Sequence, residues 1–215
     1  DISIFSGGSM SKVLYIQASP RGKRSHSIAV ADAFLEAYRK KNPKDEIVTL
    51  NLFDIELPAF DGFTIQAKYS IMHGRKHSTE EAAAWKAVER IIEVFKAADK
   101  YVLAVPMWNF GIPYRLKQYI DIIVQPSYTF AVGDNGYEGL LKGRKAFVAY
   151  ASGGEYSGGG AAYNHQKPYV DLILGFMGIT DTASVVVEQM LAEPDVSARN
   201  QKAAIALAVE AARKF

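Results

Sequence analysis

Short runs of β-branched and aromatic residues alternate along this chain with longer segments in which apolar residues recur every three to four positions. The short runs are typical of buried strands, and the longer pattern is typical of amphipathic helices. The pattern predicts strands at 12–18, 46–52, 100–106, 144–151 and 182–188. It predicts helices at 26–41, 79–97, 112–124, 165–177 and 195–213.

The regular alternation of strand and helix is characteristic of βαβ units on a parallel sheet. For a chain of this length we expect an α/β fold with a doubly wound, five-stranded parallel sheet of order 2-1-3-4-5 and helices on both faces. Ligands bind such sheets beyond the carboxyl ends of the strands, where strands 1 and 3 diverge. The loops at 19–25, 106–111 and 152–162 are therefore the candidate binding loops.

Local signals mark several element boundaries. Ser25 or His26 stands where the first helix should begin, and Ser78 with Glu81 forms an S-x-x-E capping box. The segment 125–143 exceeds the usual connection length, and its Gly-Asp-Asn-Gly core indicates a turn between two short extended arms. With the long loop predicted at 52–78, it offers enough chain to build a pocket.

Composition narrows the class of protein. The chain of 215 residues is 49% hydrophobic and 22% charged, which fits one domain, predicted at 10–215. Residues 1–9 end in a Gly/Ser linker and are predicted to be a cloning remnant before Met10. A net charge of +2 argues against nucleic acid as a partner, and no apolar run reaches the ~18 residues of a membrane span. The absence of cysteine favours a cytoplasmic location.

The first loop concentrates hydrogen-bond donors. Ser19 and Arg21 follow strand 1, and Ser25 and Ser27 lie at the start of the first helix, where the dipole favours an anion. The loop lacks both the P-loop motif and the G-x-G-x-x-G motif, so a single terminal phosphate suits it better than a polyphosphate. The alternative is that Ser25 only caps the helix and the arginine is solvated.

The second loop, "PMWNFG" at 106–111, places large apolar side chains at the ligand edge. A flat aromatic ligand would explain them, with Met107 and Trp108 beside a ring, Asn109 giving hydrogen bonds and Gly111 allowing close approach. The alternative is that Trp108 and Phe110 are core residues covering the end of the sheet.

The third loop, "SGGEYSGGG" at 152–160, is rich in glycine. Gly153 and Gly154 can present backbone N–H groups to an acceptor in the plane of a ring, and Gly158 to Gly160 fit a flexible lid. The alternative is an ordinary glycine turn.

Together these loops resemble one family. S-x-R-x-x-x-S-x-S after strand 1, "PMWNFGIP" after strand 3 and "SGGEYS" after strand 4 resemble the FMN-dependent NADH-azoreductases, relatives of the flavodoxin-like quinone reductases. The resemblance runs from about Ser11 to Phe215 and includes "LGFMGITD" at 174–181. It implies tightly bound, non-covalent FMN and ping-pong, two-electron hydride transfer from NADH or NADPH to quinone, azo or nitroaromatic acceptors. It also implies a homodimer with active sites at the interface.

The resemblance assigns site residues in four groups. The FMN phosphate would be held by Ser19, Arg21, Ser25, His26 and Ser27. The isoalloxazine would lie against Pro106, Met107, Trp108, Asn109, Phe110 and Gly111. Its pyrimidine edge would meet Ser152, Gly153, Gly154 and Glu155. The acceptor would be contacted by Tyr128, Phe130, Tyr156 and Tyr163, with 125–143 as a wall. No side chain is assigned a catalytic role, because the flavin N5 carries the hydride.

Other chemistries fit less well. A flavodoxin-like electron carrier without a substrate pocket is the main alternative, but such carriers tend to be shorter and acidic. A low-molecular-weight phosphatase would need a cysteine, which the chain lacks. His73 and His77 have i, i+4 spacing but no third ligand, so no metal site is predicted.

Overall fold

A computed structural model describes residues 11–134 and 136–215. The predicted cloning remnant at 1–9 lies outside the described residues. The strands are β1 (Lys12–Gln17), β2 (Glu46–Asn51), β3 (Lys100–Pro106), β4 (Phe130–Gly133), β5 (Gly136–Gly139), β6 (Lys145–Ala151) and β7 (Asp181–Val187). The helices are α1 (His26–Lys41), α2 (Gly62–Met72), α3 (Thr79–Lys96), α4 (Tyr114–Ile123), α5 (Lys167–Phe176) and α6 (Pro194–Ala212). Short 3-10 turns lie at Gly22–Arg24 and Ala161–Tyr163.

The main sheet is parallel, with strand order β2-β1-β3-β6-β7. Once the small hairpin β4–β5 is set aside, this is the predicted flavodoxin-like order 2-1-3-4-5, which is confirmed. The five predicted strands are present, each within one or two residues of its predicted bounds. The central strands β1, β3 and β6 are recognisable because a parallel strand buried on both faces is a nearly continuous apolar run.

The helices cover both faces of the sheet, as expected. In the central strand β3, Tyr101 and Leu103 point into the core formed with α3, α4 and α5. Val102 and Ala104, on the other side of the pleat, join the core formed with α1 and α6. Every described helix except α2 begins and ends within about two residues of its prediction.

Helix α2 is the element that the sequence pattern missed. It occupies part of the segment predicted as a loop at 52–78, and it begins at an Asp61 N-cap whose side chain accepts from the Thr64 amide at 3.0 Å. Its apolar residues are distributed around the helix, and several stay exposed: Phe63, Ile65, Tyr69 and Met72. Without one buried stripe, the helical period is absent from the sequence.

The hairpin predicted within 125–143 is confirmed. β4 pairs antiparallel with β5, and Gly133 faces Gly136 across the turn. Gly139 lies so close to the backbone of Gly178 that a Cβ on Gly139 would be 2.2 Å from the Gly178 nitrogen. The hairpin is therefore fixed against the end of α5.

Within the described parts of the chain, we find no helix with the length and hydropathy that crossing a bilayer would require.

Candidate functional site

The three candidate loops leave the same edge of the sheet. Hydrogen bonds continue the strand ladder into each of them: Ala18 N–H donates to Ala104 O at 3.0 Å and Met107 N–H to Ala151 O at 2.7 Å. Ser152 N–H donates to the Val187 carbonyl at 3.0 Å. These bonds bring the loops after β1, β3 and β6 side by side.

The first loop holds three buried serines at the start of α1. Ser19, Ser25 and Ser27 are each at most 3% exposed. The Ser25 Oγ accepts from the Ile28 amide at 3.4 Å and lies 3.1 Å from the Ser27 Oγ, so Ser25 is the helix N-cap. No acidic residue occupies the first turn of α1. The helix thus presents the positive end of its dipole and buried hydroxyls, with Arg21 exposed beside them.

His26, the first residue of α1, is oriented by the C-terminal helix. Its Nδ1 lies 2.9 Å from Oε1 of Gln201, whose Nε2 donates to the His26 carbonyl at 3.4 Å. Because Nε2 of Gln201 donates to the His26 carbonyl, the side-chain oxygen of Gln201 is the atom that faces the ring. The His26 Nδ1 therefore carries a proton and donates it to Gln201 Oε1. The ring nitrogen that remains for a ligand is therefore Nε2. Sequence reasoning missed Gln201, which is 175 residues away.

The second loop forms a tight turn with unusual backbone geometry. Trp108 and Gly111 exchange two backbone hydrogen bonds, at 3.0 and 2.9 Å. The two residues between them both have left-handed φ angles, 46° for Asn109 and 69° for Phe110. For a bulky residue such as Phe110 this conformation costs roughly 1 kcal/mol, and such strain is concentrated at functional sites. Among the described residues neither amide has a protein acceptor, so the turn offers two adjacent N–H groups.

Large aromatic side chains flank this turn. Trp108 is 36% and Phe110 47% exposed, so the alternative that they are core residues is wrong. The Phe110 ring centroid lies 6.1 Å from that of Tyr156 and 5.6 Å from that of Tyr163. The structure thus brings two of the predicted substrate residues to the predicted ring site.

On the other side of the turn, Trp108 packs against two rings that the sequence reasoning missed. Its centroid is 5.8 Å from that of Phe53 and 6.2 Å from that of Tyr114. An open cavity of ≈ 800 Å³ adjoins this side and includes Phe60 and Asp61 in its lining. The position of Phe53, two residues beyond β2 at the ligand edge, was the available signal.

The third loop is shaped by its contacts with the segment after β7. The carbonyls of Ser152, Gly153 and Gly154 each accept from an amide of residues 189–191, all at 3.1 Å. The Gly153 and Gly154 amides have no protein acceptor within the described chain. A Cβ on Gly153 would come within 2.6 Å of Leu191 Cδ1, so a side chain there would displace Leu191. The carbonyls of this loop are therefore bound to the segment after β7, whereas the Gly153 and Gly154 amides remain available to a ligand.

Glu188, directly after β7, fixes the next residues of this loop. Its carboxylate accepts from the Tyr156 amide at 2.7 Å and from the Ser157 hydroxyl. The Glu155 carboxylate accepts separately from the side-chain Nε2 of Gln189 at 2.8 Å. Sequence reasoning did not identify Glu188, because the contact spans more than thirty residues.

Replacing Glu188 by Ala should loosen the loop. The Tyr156 amide would lose its acceptor, and we expect its hydrogen exchange to accelerate about tenfold or more. Glu188→Gln is the matched control, because its oxygen can accept from Tyr156 while its amide donates to Ser157. Exchange monitored by NMR or mass spectrometry checks this, and equal protection in both variants would show that Glu188 does not hold the loop.

Tyr128 and Phe130 lie elsewhere in the single chain. Tyr128 packs against Trp85 and donates its hydroxyl to Glu89, and burial together with Glu89 raises the pKa of its phenol. Phe130 packs against Phe176 at 4.8 Å between ring centroids. Among the described residues, neither ring pairs with an aromatic ring of the three loops. Their predicted role in substrate binding stays a prediction.

Comparison with known proteins agrees with this geometry. A family profile described as "Flavodoxin-like fold" matches residues 11–211. The FMN-dependent NADH:quinone oxidoreductase of Nitratidesulfovibrio vulgaris (strain DP4) is 50% identical over 208 residues, covering 96% of this chain and 98% of that protein.

Two solved structures resemble the whole chain. The azoreductase from Bacillus anthracis str. Sterne is 33% identical with a TM-score of 0.89, covering 96% of this chain and 100% of its own. An FMN-dependent NADH-azoreductase from Bacillus anthracis str. Ames Ancestor, in complex with FMN, is 31% identical with a TM-score of 0.87, covering 94% of this chain and 98% of its own. The resemblance seen in the loop motifs is confirmed. The chain therefore belongs to the flavodoxin-like family of FMN-dependent NADH-azoreductases and quinone oxidoreductases.

Proposed function

We propose that this chain is an FMN-dependent NAD(P)H oxidoreductase that reduces quinones and azo compounds. The observation that carries the proposal is the strained Asn109–Phe110 turn, which offers two unpaired amides at the same sheet edge as the buried serine loop. FMN would supply the redox chemistry, accepting a hydride from the nicotinamide donor and delivering two electrons to the acceptor. The protein's part is to bind the flavin, to orient it and to tune its electronic properties.

The phosphate end of FMN fits the first loop. The free amides at the start of α1, the hydroxyls of Ser19, Ser25 and Ser27 and the Nε2 of His26 form a donor set suited to one terminal phosphate. Arg21 adds positive charge at the exposed rim. Because the serines are buried, these donors are fixed before the phosphate binds.

The ring end fits the second and third loops. Pro106 to Gly111 would line the isoalloxazine, and the amides of Asn109 and Phe110 can donate to acceptors on its polar edge. The amides of Gly153 and Gly154 can donate to the pyrimidine edge, near Ser152 and Glu155. Donors fixed at a ring edge also stabilise additional negative charge there. A bound flavin would offer acceptors to these otherwise unpaired amides.

A planar acceptor fits the aromatic surroundings. Tyr156 and Tyr163, both beside Phe110, are suited to stack on quinone, azo or nitroaromatic rings. We infer a ping-pong scheme in which NADH or NADPH and the acceptor occupy the same open face in turn. The open cavity of ≈ 800 Å³ beside Trp108 offers space for an acceptor next to the candidate ring site.

We also infer a homodimer. Tyr128 packs against Trp85 and Phe130 against Phe176 rather than against the aromatic rings of the loops, and an interface with a second copy would let them line that copy's acceptor site. Helix α2 supports this, because it exposes Phe63 and Tyr69 by nearly half of their surface. The cytoplasmic location stays a prediction from the lack of cysteine.

Steady-state assays test the proposal. We expect the purified protein to be yellow, to release FMN on denaturation, and to oxidise NADH or NADPH rapidly only when benzoquinone or an azo dye is present. Parallel lines in double-reciprocal plots at varied donor and acceptor would support the ping-pong scheme. A colourless protein that cannot be reconstituted with FMN contradicts the proposal. One-electron flavin chemistry without pyridine-nucleotide oxidation would favour the carrier.

A further inference from the structure

Two side chains of α4 hold the loop that follows β2, residues 52–58. Arg115 donates from Nε to the Leu52 carbonyl at 2.8 Å and from Nη2 to the Ile55 carbonyl. Gln118, one turn further along the helix, donates from Nε2 to the Pro58 carbonyl at 3.2 Å. The loop is thus attached to α4 at three points along its length.

The guanidinium of Arg115 organises these attachments. Its Nη1 donates to Oε1 of Gln118 at 3.0 Å, which also fixes the Gln118 amide with Nε2 toward the loop. Three guanidinium nitrogens therefore serve three acceptors in fixed directions, and the side chain is partly buried. A planar fork of donors does this well, whereas a lysine ammonium on a flexible stem does not reproduce it.

Phe53 lies between the first two anchored carbonyls. Its amide donates to the Asn51 side chain at 3.1 Å, and its ring packs against Trp108 and Tyr114 with centroids 5.8 and 5.9 Å apart. Trp108 directly precedes the Asn109–Phe110 turn. A shift of the 52–58 loop would therefore reach the candidate ring site through Phe53 and Trp108.

We propose that Arg115 is a positioning residue for the redox site: it fixes the 52–58 loop so that Phe53 supports Trp108 beside the Asn109–Phe110 turn. The claim about the reaction rests on the proposed function. The claim about the loop stands on the hydrogen bonds alone, and the two can be tested separately.

Tryptophan fluorescence of the FMN-free protein tests the loop. The chain has two tryptophans, so Trp85→Phe leaves Trp108 as the reporter. In that background we expect Arg115→Gln to shift Trp108 emission to longer wavelength and to increase its quenching by acrylamide. Arg144→Gln is the matched control: Arg144 is also partly buried and donates to the carbonyls of Lys96 and Ala98, but at the opposite end of the sheet. Equal emission and quenching in the two variants would overturn the proposal.

Steady-state kinetics of the FMN-loaded protein test the reaction. Arg115→Gln should raise the KM for benzoquinone about tenfold with kcat within about twofold. The reason is that it displaces Trp108, which lines the cavity offered to the acceptor, and leaves the hydride chemistry intact. Arg115→Lys should lie between Gln and wild type in both experiments, which also covers the case that Arg115→Gln folds poorly. An emission shift without a change in KM would overturn the positioning role. A wild-type protein that oxidises neither NADH nor NADPH would contradict the proposed function, while the fluorescence result on the loop would still stand.

Discussion

Replacing Ser25 by Asp is expected to weaken FMN binding at least ~100-fold while leaving α1 as well capped as in the wild type. Ser25 is 3% exposed, and its Oγ caps the helix through the Ile28 amide. Asp is an equally good N-cap and its charge suits the helix dipole, which offsets the cost of placing a carboxylate at this buried position, so the FMN-free protein should remain folded. The same charge within about 5 Å of a phosphate dianion costs several kcal/mol even at an effective dielectric constant of ~20.

The matched control is Ser25→Asn, which also caps the helix but is neutral. Fluorescence titration of FMN into the two apoproteins separates the effect of the added charge on FMN affinity from the effect of the larger side chain. Urea unfolding checks that both variants are folded. We expect the Asn variant to bind FMN far more tightly than the Asp variant. Equal affinities would show that Ser25 is only a helix cap and that the phosphate binds elsewhere.

The fold could be predicted from the sequence because its signals are local. The central strands β1, β3 and β6 are apolar runs buried on both faces, the edge strands β2 and β7 keep part of that pattern, and α1 begins at a serine cap that the sequence displays. Helix α2 could not be found in this way, since its apolar residues form no stripe and four of them remain exposed. Its stability as a helix comes from its Asp61 cap and its packing against α3, and the latter is a tertiary contact.

The site was predictable only as far as topology determines it. Parallel strands bring the loops after β1, β3 and β6 to one edge, so the serines, the "PMWNFG" turn and the glycines could be grouped from sequence. The residues that orient these loops and the 52–58 loop could not be found, because Gln201, Glu188 and Arg115 act on segments 175, 32 and 63 positions away. Contacts at such separations leave no periodic signal in a single sequence.

The protein is expected to lose stability steeply above pH 10, because several buried tyrosines keep their protons only in the folded state. Tyr15, Tyr101, Tyr119 and Tyr150 are each at most 3% exposed. Burial raises the pKa of Tyr101 to about 12, and burial is also the largest cause that raises the pKa values of Tyr15, Tyr119 and Tyr150. Asp32 accepts a hydrogen bond from the Tyr15 hydroxyl, and Asp171 accepts one from the Tyr150 hydroxyl. These carboxylates raise the pKa values of the two tyrosines further.

The sign follows from proton binding. Above pH 10 the unfolded chain releases its phenolic protons while the folded chain retains them, so the unfolded state binds fewer protons and the free energy of unfolding falls as pH rises. Each tyrosine contributes up to about 1.4 kcal/mol per pH unit, so these four remove about 5 kcal/mol by pH 11. Burial lowers the pKa values of Lys68 and Lys100, which has the opposite effect, but the contribution of each lysine ends near its ordinary pKa.

Urea unfolding between pH 8 and about pH 11 measures this loss, and Tyr101→Phe is the informative variant. It removes the hydrogen bond to the Phe95 carbonyl, which lowers stability equally at every pH. It also removes one buried titrating phenol, so the slope of the free energy of unfolding against pH should become shallower above pH 10 by up to about 1.4 kcal/mol per pH unit. The slope therefore reports ionisation, whereas the offset reports the lost hydrogen bond. If the absorbance at 295 nm showed all 12 tyrosines ionising near pH 10 in the folded protein, the retained protons, and with them the predicted loss of stability, would be ruled out.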